Sequence, residues 1–516
     1  MDVGCFVSTG ALAKRARGRS PSVDRSGFLA GRSAVPVVSN RARCVRMVVA
    51  PIPTDSTGTS SDVQLDRVIC KFGGSSLADS TRLREVTKIV KMQTELTRKF
   101  PVVVLSAMGP STNELLRAGE RALTEGVVDI SSVRSRAYEA CDSFGLKKEE
   151  LVDPLLTNLD QLLLGIKFLR ELTPRGKDYL VSFGERLSVR IMAAHLAKNE
   201  NLPAKAFDAF DVGFLTDSNF LNAEIQPESL DRIASFFDEL GPNTVAIVTG
   251  FIGKDVNGEI TTLGRGGSDL TATTIGAAIN ASEVQVWKDV DGILSTDPRV
   301  VEKAIPVPSV TYTEAAEMAY FGAKVLHPVA MMPAMKNRIT VRVKNSYNPT
   351  HPGTKILPER KLSDDAPVTA ISVKRNVQLV DIVSTRMLGA YGFLAEVFKI
   401  FAQHQVSVDM IATSEVSISL TLDSVACSES TVCTLKTDLE TIANTSFQNG
   451  KSIVSLVSNQ TKSSMILGKA ANALAENGIQ IQMVSQGAAK FNIGFVLDNE
   501  EANKAVEVLH DVFFGR

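Results

Sequence analysis

The 516-residue sequence has only five histidines, only six cysteines and a formal net charge of −1. Each shortage excludes something. His195, His327, His351, His404 and His510 are scattered, and none sits in a pattern that suits a general base. No two cysteines have the C-x-x-C spacing, so neither a disulfide framework nor a structural zinc site is expected. No apolar run reaches the ~18 residues of a membrane-spanning helix, and no membrane partner is expected. The near-zero charge gives no field to draw nucleic acid.

The even charge hides an asymmetry. Residues 1–50 carry Lys14 and eight arginines against Asp2 and Asp24, and are rich in serine and alanine. That basic, acid-poor composition suits a cleaved organelle transit peptide. It leaves a mildly acidic body, whose length accommodates two to four domains of roughly 100–200 residues each.

Within the body, short Val/Ile-rich runs alternate with helical stretches. Val68–Lys71, Pro101–Leu105, Thr244–Thr249 and Glu283–Trp287 read as buried strands. Uninterrupted apolar strands between helices predict a mainly parallel sheet covered on both faces, a three-layer α/β/α domain over residues 62–357. Composition changes in the Pro-, Lys- and Asp-rich connector Asn348–Pro367. After it one pattern occurs twice: Leu379–Ser384 and Ile453–Ser458 as strands, Gly392–His404 and Ser464–Glu476 as helices, Val406–Asp423 and Ile479–Asp498 as alternating strand pairs. The first helix is expected to turn Leu394, Val397, Phe398 and Phe401 inward. A βαββ unit of about 70 residues, repeated, predicts two ferredoxin-like modules over 369–447 and 448–516. Thr369–Val373 is a candidate to pair with the second copy.

Five motifs carry chemistry. Lys71-Phe72-Gly73-Gly74-Ser75-Ser76 follows the first strand: glycines let backbone N–H groups approach an anion at a helix start, and the lysine adds a full charge. Gly264-Arg265-Gly266-Gly267-Ser268-Asp269 opens a second such turn before the helix Leu270–Ile279, with Arg265 able to fork a carboxylate or phosphate. An ordinary turn with Asp269 as N-cap suits it as well. Phe183-Gly184-Glu185-Arg186 places a carboxylate in a glycine-softened turn, for an ammonium group or for a helix-start ion pair. Lys288-Asp289-Val290-Asp291-Gly292 with Asp297-Pro298-Arg299 supplies acids for Mg²⁺ or a ribose and a cation for phosphate, or is an acidic turn. Gly322-Ala323-Lys324-Val325-Leu326-His327-Pro328 reads as a functional lysine or a solvated one.

In this order, and with Ser106-Ala107-Met108-Gly109 between the first two glycine turns, the motifs resemble the aspartate kinases of the amino-acid kinase superfamily, in their monofunctional, plastid-type, lysine-sensitive form. The resemblance spans about residues 66–516. It implies transfer of the γ-phosphoryl of ATP to the β-carboxylate of L-aspartate, with Mg²⁺, in a chloroplast. It implies Lys71 and Asp269 as the catalytic pair, and Lys71, Gly74, Ser106, Lys288, Asp289, Arg299 and Lys324 as ATP contacts. It implies Thr112, Glu185, Arg265 and Ser268 as aspartate contacts. The repeats resemble paired ACT domains, which implies a homodimer or larger assembly and lysine as effector, held by Met387, Gly392, Phe393, Leu394, Ser407, Val408, Asp409, Thr413 and Ser414. The chain ends without an appended dehydrogenase half, so bifunctional members fit less well.

Two positions depart from the family pattern: Pro110 stands where a basic residue is common, and Leu294 where an aromatic is. Gln482 in the second repeat replaces Asp409 of the first, so the second repeat is expected to build the dimer rather than sense lysine. Another superfamily kinase is disfavoured by the paired repeats and Phe-Gly-Glu-Arg. A non-catalytic amino-acid sensor is disfavoured by intact Lys71, Glu185, Arg265 and Asp269.

Overall fold

The computed structural model describes residues 66–323, 326–360, 367–384, 391–423, 427–458, 462–487 and 492–515. Residues 1–50, for which a transit peptide is expected, and Lys324 and Met387 lie outside them. The strands of the first part, in chain order, are β1 (Val68–Phe72), β2 (Val102–Leu105), β3 (Ala204–Phe207), β4 (Val245–Thr249), the hairpin β5 (Ile252–Lys254) and β6 (Ile260–Thr262), β7 (Glu283–Lys288), β8 (Ser309–Thr311), β9 (Val341–Asn345) and β10 (Thr354–Leu357). Eight form one sheet in the order β3-β4-β2-β1-β7-β9-β10-β8. Its first six strands are parallel; β10 runs antiparallel to β9 and carries β8 beside it.

Every residue of β1, β2 and β4 is buried. The period of two divides β1 between two apolar layers. Val68, Cys70 and Phe72 pack with the helices Ser80–Leu96, Ser131–Phe144, Asp153–Leu169 and Pro174–Asn199, and Ile69 packs with Val102, Val104 and the helix Gly267–Ala278 on the other face. Each such burial contributes about 1.5–3 kcal/mol. Burial pushes the Cys70 thiol up to about 12, so it is a protonated packing group rather than a reactive one.

The second part holds β11 (Val368–Val383), β12 (Val408–Thr413), β13 (Ser417–Asp423), β14 (Asn444–Ser458), β15 (Met483–Gln486) and β16 (Asn492–Asp498), in one antiparallel sheet ordered β12-β13-β11-β14-β16-β15. The two repeats are thus knitted together. β11 is 16 residues long and pairs along its length with β14. Ala370, Ile371, Ser372 and Val373 face Val457, Leu456, Ser455 and Val454, the exchange that Thr369–Val373 suggested. Each repeat also has a second helix that the βαββ reading did not contain, Glu429–Glu440 and Ala502–Phe514. In the helix Phe393–Gln403 the buried face is Phe393, Val397 and Phe401, while Leu394 and Phe398 are exposed, which corrects the inward assignment of those two. The parts dock through specific contacts: Ile371 N–H donates to Ser295 O at 2.7 Å, and Phe321 is buried among Val377, Leu379, Met410, Ile453, Met483 and Val496.

Candidate active site

The parallel sheet brings the two glycine turns together at the C-terminal ends of its strands, where α/β sheets bind ligands. β1 leads into Gly73 and the short 3₁₀ turn Gly74–Leu77; β2 leads into Ser106–Pro110 and the helix Ser111–Thr124. Gly74 lies so close to the second loop that a Cβ there would be 2.9 Å from Gly109 O and 3.1 Å from Ala107 O. Gly74→Ala must therefore part the two loops; a displacement near 1 Å costs roughly 100-fold in rate. Steady-state kinetics should show that loss with an unchanged far-UV spectrum, and wild-type rates would refute the close approach.

Between the turns lies a cavity of about 320 Å³, lined among others by Lys71, Gly74, Ser106, Thr112, Glu185, Ser268 and Asp269. Lys71 Nζ approaches Asp269 Oδ1 at 2.6 Å, and both side chains are nearly buried. That oxygen accepts no well-aligned hydrogen bond, so the contact is charge attraction first. Burial opposes the ionised Asp269, but Lys71 and Lys288 outweigh it and hold the carboxyl below its ordinary value. Burial in turn lowers Lys288, a pull that Asp269 only partly offsets. Ser106 Oγ donates to Ser268 Oγ at 3.0 Å, linking the two loops. Gly266 takes φ 76°, and a Cβ there would meet His327 Cβ at 2.7 Å, so glycine is required and the exposed His327 lies against this turn.

Glu185 is not in a turn. It lies inside the 26-residue helix Pro174–Asn199, where Gly184 lets the helix approach Ala107 (2.8 Å to a built Cβ). Glu185 Oε1 accepts from Ala107 N–H at 3.2 Å, while Oε2 is buried without a hydrogen-bond partner. Burial pushes its carboxyl up to about 8, against the pull of the Ala107 hydrogen bond and of Lys71. A buried acid with an unsatisfied oxygen in a cavity is a candidate for a cationic ligand.

Arg265 stands exposed on the second turn. Asp289 and Arg299 are exposed too, and Arg299 pairs with Asp297 at 2.5 Å, so the fold does not bring these two into the cavity lining. The sequence reading missed Phe251, which lines the cavity. It sits after β4 with φ 72°, its N–H held by Thr271 Oγ1 at 3.1 Å, over a Gly267 too close for a Cβ. Its only sequence signal was the preceding Gly250 at a strand end. A larger depression of about 550 Å³ between Asp153–Leu169 and Pro174–Asn199 contains no glycine turn of this kind and no lysine.

In the second part, Gly392 caps the helix Phe393–Gln403 with φ 87°, Ser407 is exposed before β12, Val408, Asp409 and Thr413 lie on β12, and Ser414 bonds Ser417 in the turn after it. Asp409 is already engaged. Lys374 Nζ donates to its Oδ2 at 2.7 Å, and Tyr320 of the first part donates to its Oδ1 at 2.9 Å. Burial, then the Asp409 charge, keep the Tyr320 phenol well above its ordinary value, so it remains a donor.

Known proteins share this architecture. The model of the amino acid kinase family matches residues 66–345, and that of the ACT domain matches 380–431 and 454–513. Aspartokinase 2, chloroplastic, of Arabidopsis thaliana is 45% identical over 90% of this chain and 87% of its own. The chain belongs to the aspartokinase family. It is a kinase with ACT units appended. Two solved structures of Escherichia coli aspartokinase III share its architecture: one in complex with lysine and aspartate, in the T-state, at 34% identity and TM-score 0.70 over 87% of this chain and 99% of that one; the other with aspartate and ADP, in the R-state, at 33% and 0.70 over 87% and 100%.

Proposed function

We propose that the cavity binds ATP and L-aspartate and transfers the γ-phosphoryl group to the β-carboxylate, giving 4-phospho-L-aspartate. The observation that supports it most is the convergence of Lys71, Asp269 and the unsatisfied Glu185 in one cavity between two glycine turns. Lys71, Gly74, Ser106 and Lys288 serve the phosphates, with Asp289, Arg299 and Lys324 further along the nucleotide. Glu185 holds the substrate ammonium, Arg265 a carboxylate, and Thr112 and Ser268 its remaining oxygens. The β-carboxylate, with a pKa near 3.9, is ionised at neutral pH, so no general base is required. The task is to align two anions that repel by about 4 kcal/mol at 4 Å and an effective dielectric near 20. Lys71 and the N–H groups of the turns offset this repulsion, the usual division of labour in phosphoryl transfer.

Mg²⁺ is commonly held by one or two carboxylates plus substrate phosphates. Among the described residues no cluster of three metal-ligating side chains occurs; of the two buried carboxylates that line the cavity, Asp269, beside the Lys71 ammonium, fits that mode. When bound, the ion would neutralise phosphate charge. Asp269 also holds the Lys71 ammonium toward the cavity.

Lysine is the proposed effector, bound between Gly392–Leu394 and β12. β12 is a sheet edge and exposes Ile411, features that favour association with a second chain. The basic N-terminus and the chloroplastic relative support import into a plastid, with residues 1–50 removed.

The test is acyl-phosphate formation trapped with hydroxylamine, using protein lacking residues 1–50. Aspartate, not glutamate, should support turnover with ATP and Mg²⁺, and lysine should suppress it. Absence of product from aspartate refutes the assignment. The pH dependence is a further expectation. Burial keeps Glu185 neutral below about 8, and it must ionise to hold an ammonium. The aspartate KM should therefore rise as pH falls below that value, approaching about tenfold per unit. Calorimetry in buffers of different ionisation enthalpy should register a proton released on binding. A flat KM between pH 6 and 8 would show that Glu185 does not meet the ammonium.

A further inference from the structure

Asp178 precedes Glu185 by two turns on the same face of the helix Pro174–Asn199. It is fully buried, and among the described residues its carboxylate meets only neutral donors. One oxygen accepts from Leu221 N–H at 2.9 Å and from Thr262 N–H at 3.0 Å; the other accepts from the Thr262 hydroxyl at 2.6 Å. Burial pushes this carboxyl above its ordinary value in spite of those three bonds. A buried acid without a countercharge is a costly way to fasten a helix, since a neutral acceptor would serve.

The donors show what the residue joins. Thr262 ends β6, directly before the turn Gly264–Gly267. Leu221 takes φ 72°, unusual for a bulky side chain, and places Asn222 against the same turn: a Cβ at Gly264 would be 2.4 Å from Asn222 Oδ1. One carboxylate thus ties the helix of Glu185 to both supports of the turn that carries Arg265. One oxygen takes both N–H groups and the other takes the Thr262 hydroxyl; an asparagine keeps the first two bonds and reverses the third, donating to the hydroxyl, whereas an alanine loses all three.

We infer that Asp178 is a positioning residue that sets the spacing between Glu185 and Arg265, and so fixes the grip on the ammonium and carboxylate of the amino-acid substrate. This rests on the roles proposed above for those two residues. Asp178→Ala, which removes all three bonds, should raise the aspartate KM at least about tenfold while the ATP KM stays within about twofold, because the Lys71–Gly74 turn hangs from β1 rather than from Asp178. Thr262→Val, which removes one donor, should show the same split in milder form, and Thr262→Ser should abolish it. A parallel rise in both KM values, or a fall in Tm with unaltered KM values, would reduce Asp178 to a structural role and overturn the inference. Tryptic cleavage after exposed Arg265, followed by mass spectrometry, is independent of turnover: Asp178→Ala should accelerate it several-fold, and an unchanged rate overturns the inference. Failure of the parent protein to phosphorylate aspartate would instead refute the function, with the cleavage assay still deciding on Asp178.

Discussion

Lys71→Met should lower aspartate-dependent turnover roughly 100- to 1,000-fold, the loss typical of removing one preorganised electrostatic group from a transferring centre. The argument is geometric. Lys71 leaves β1 at the first glycine turn, and Asp269 opens the helix that follows the second, so their 2.6 Å contact is where the two anion-binding loops meet. Methionine keeps the length and apolar stem of lysine and removes only the charge. Asp269→Asn should cost activity through the same pair, and the double variant should be little worse than the worse single one, because the two act as a unit. Stability gives a second readout. Asp269 is held below its ordinary pKa, so its ion pair stabilises the fold above the unfolded carboxylate value near 3.9, and that contribution is lost as pH falls through the folded value. The Tm gap between wild type and Lys71→Met should therefore narrow in acid. Near-normal turnover of Lys71→Met would remove the centre proposed here.

Lysine inhibition should depend on Asp409 and be transmitted by Tyr320. Asp409→Asn should raise the lysine concentration for half-inhibition by roughly 5- to 150-fold, the span of ordinary allosteric coupling, with uninhibited turnover within a few-fold of wild type. Lys374 adds a specific twist. Its ammonium already occupies Asp409, so an effector ammonium must displace it, and Lys374→Met should bind lysine more tightly. Tyr320 ends the helix Tyr312–Tyr320, and its neighbour Gly322 touches β11 so closely that a Cβ would lie 2.4 Å from Val373 O. Tyr320→Phe should therefore retain lysine binding in calorimetry but show shallower maximal inhibition. Full inhibition in Tyr320→Phe would place the coupling elsewhere, and unaltered inhibition in Asp409→Asn would remove the effector site from β12.

Much of this was legible in the order of residues. Short Val/Ile-rich runs that alternate with helical stretches read as strands covered on both faces, and glycine pairs directly after them mark where backbone approaches an anion. Hence Lys71, Gly74, Ser106, Ser268 and Asp269 were found as motifs, and the structure gathers them. Local pattern failed where a long-range contact set the outcome. Phe-Gly-Glu-Arg resembles a turn in sequence, yet packing of Gly184 on Ala107 keeps it inside a helix. Leu394 and Phe398 lie within one turn of the buried Val397, but only the sheet beneath decided which stripe is covered.

The sequence by itself determined the fold class and the double repeat, because strand periodicity and glycine turns are local properties of the chain; the pairing of Lys71 with Asp269 came from the family resemblance. Only tertiary structure decided the environment of each charge. It withholds Arg299 from the cavity and gives Asp409 to Lys374 and Tyr320. It buries Asp178 against Leu221 and Thr262, partners 43 and 84 residues away in the chain. Burial and distance between residues remote in sequence fix a charge's energy, and neither is contained in the residues that flank it.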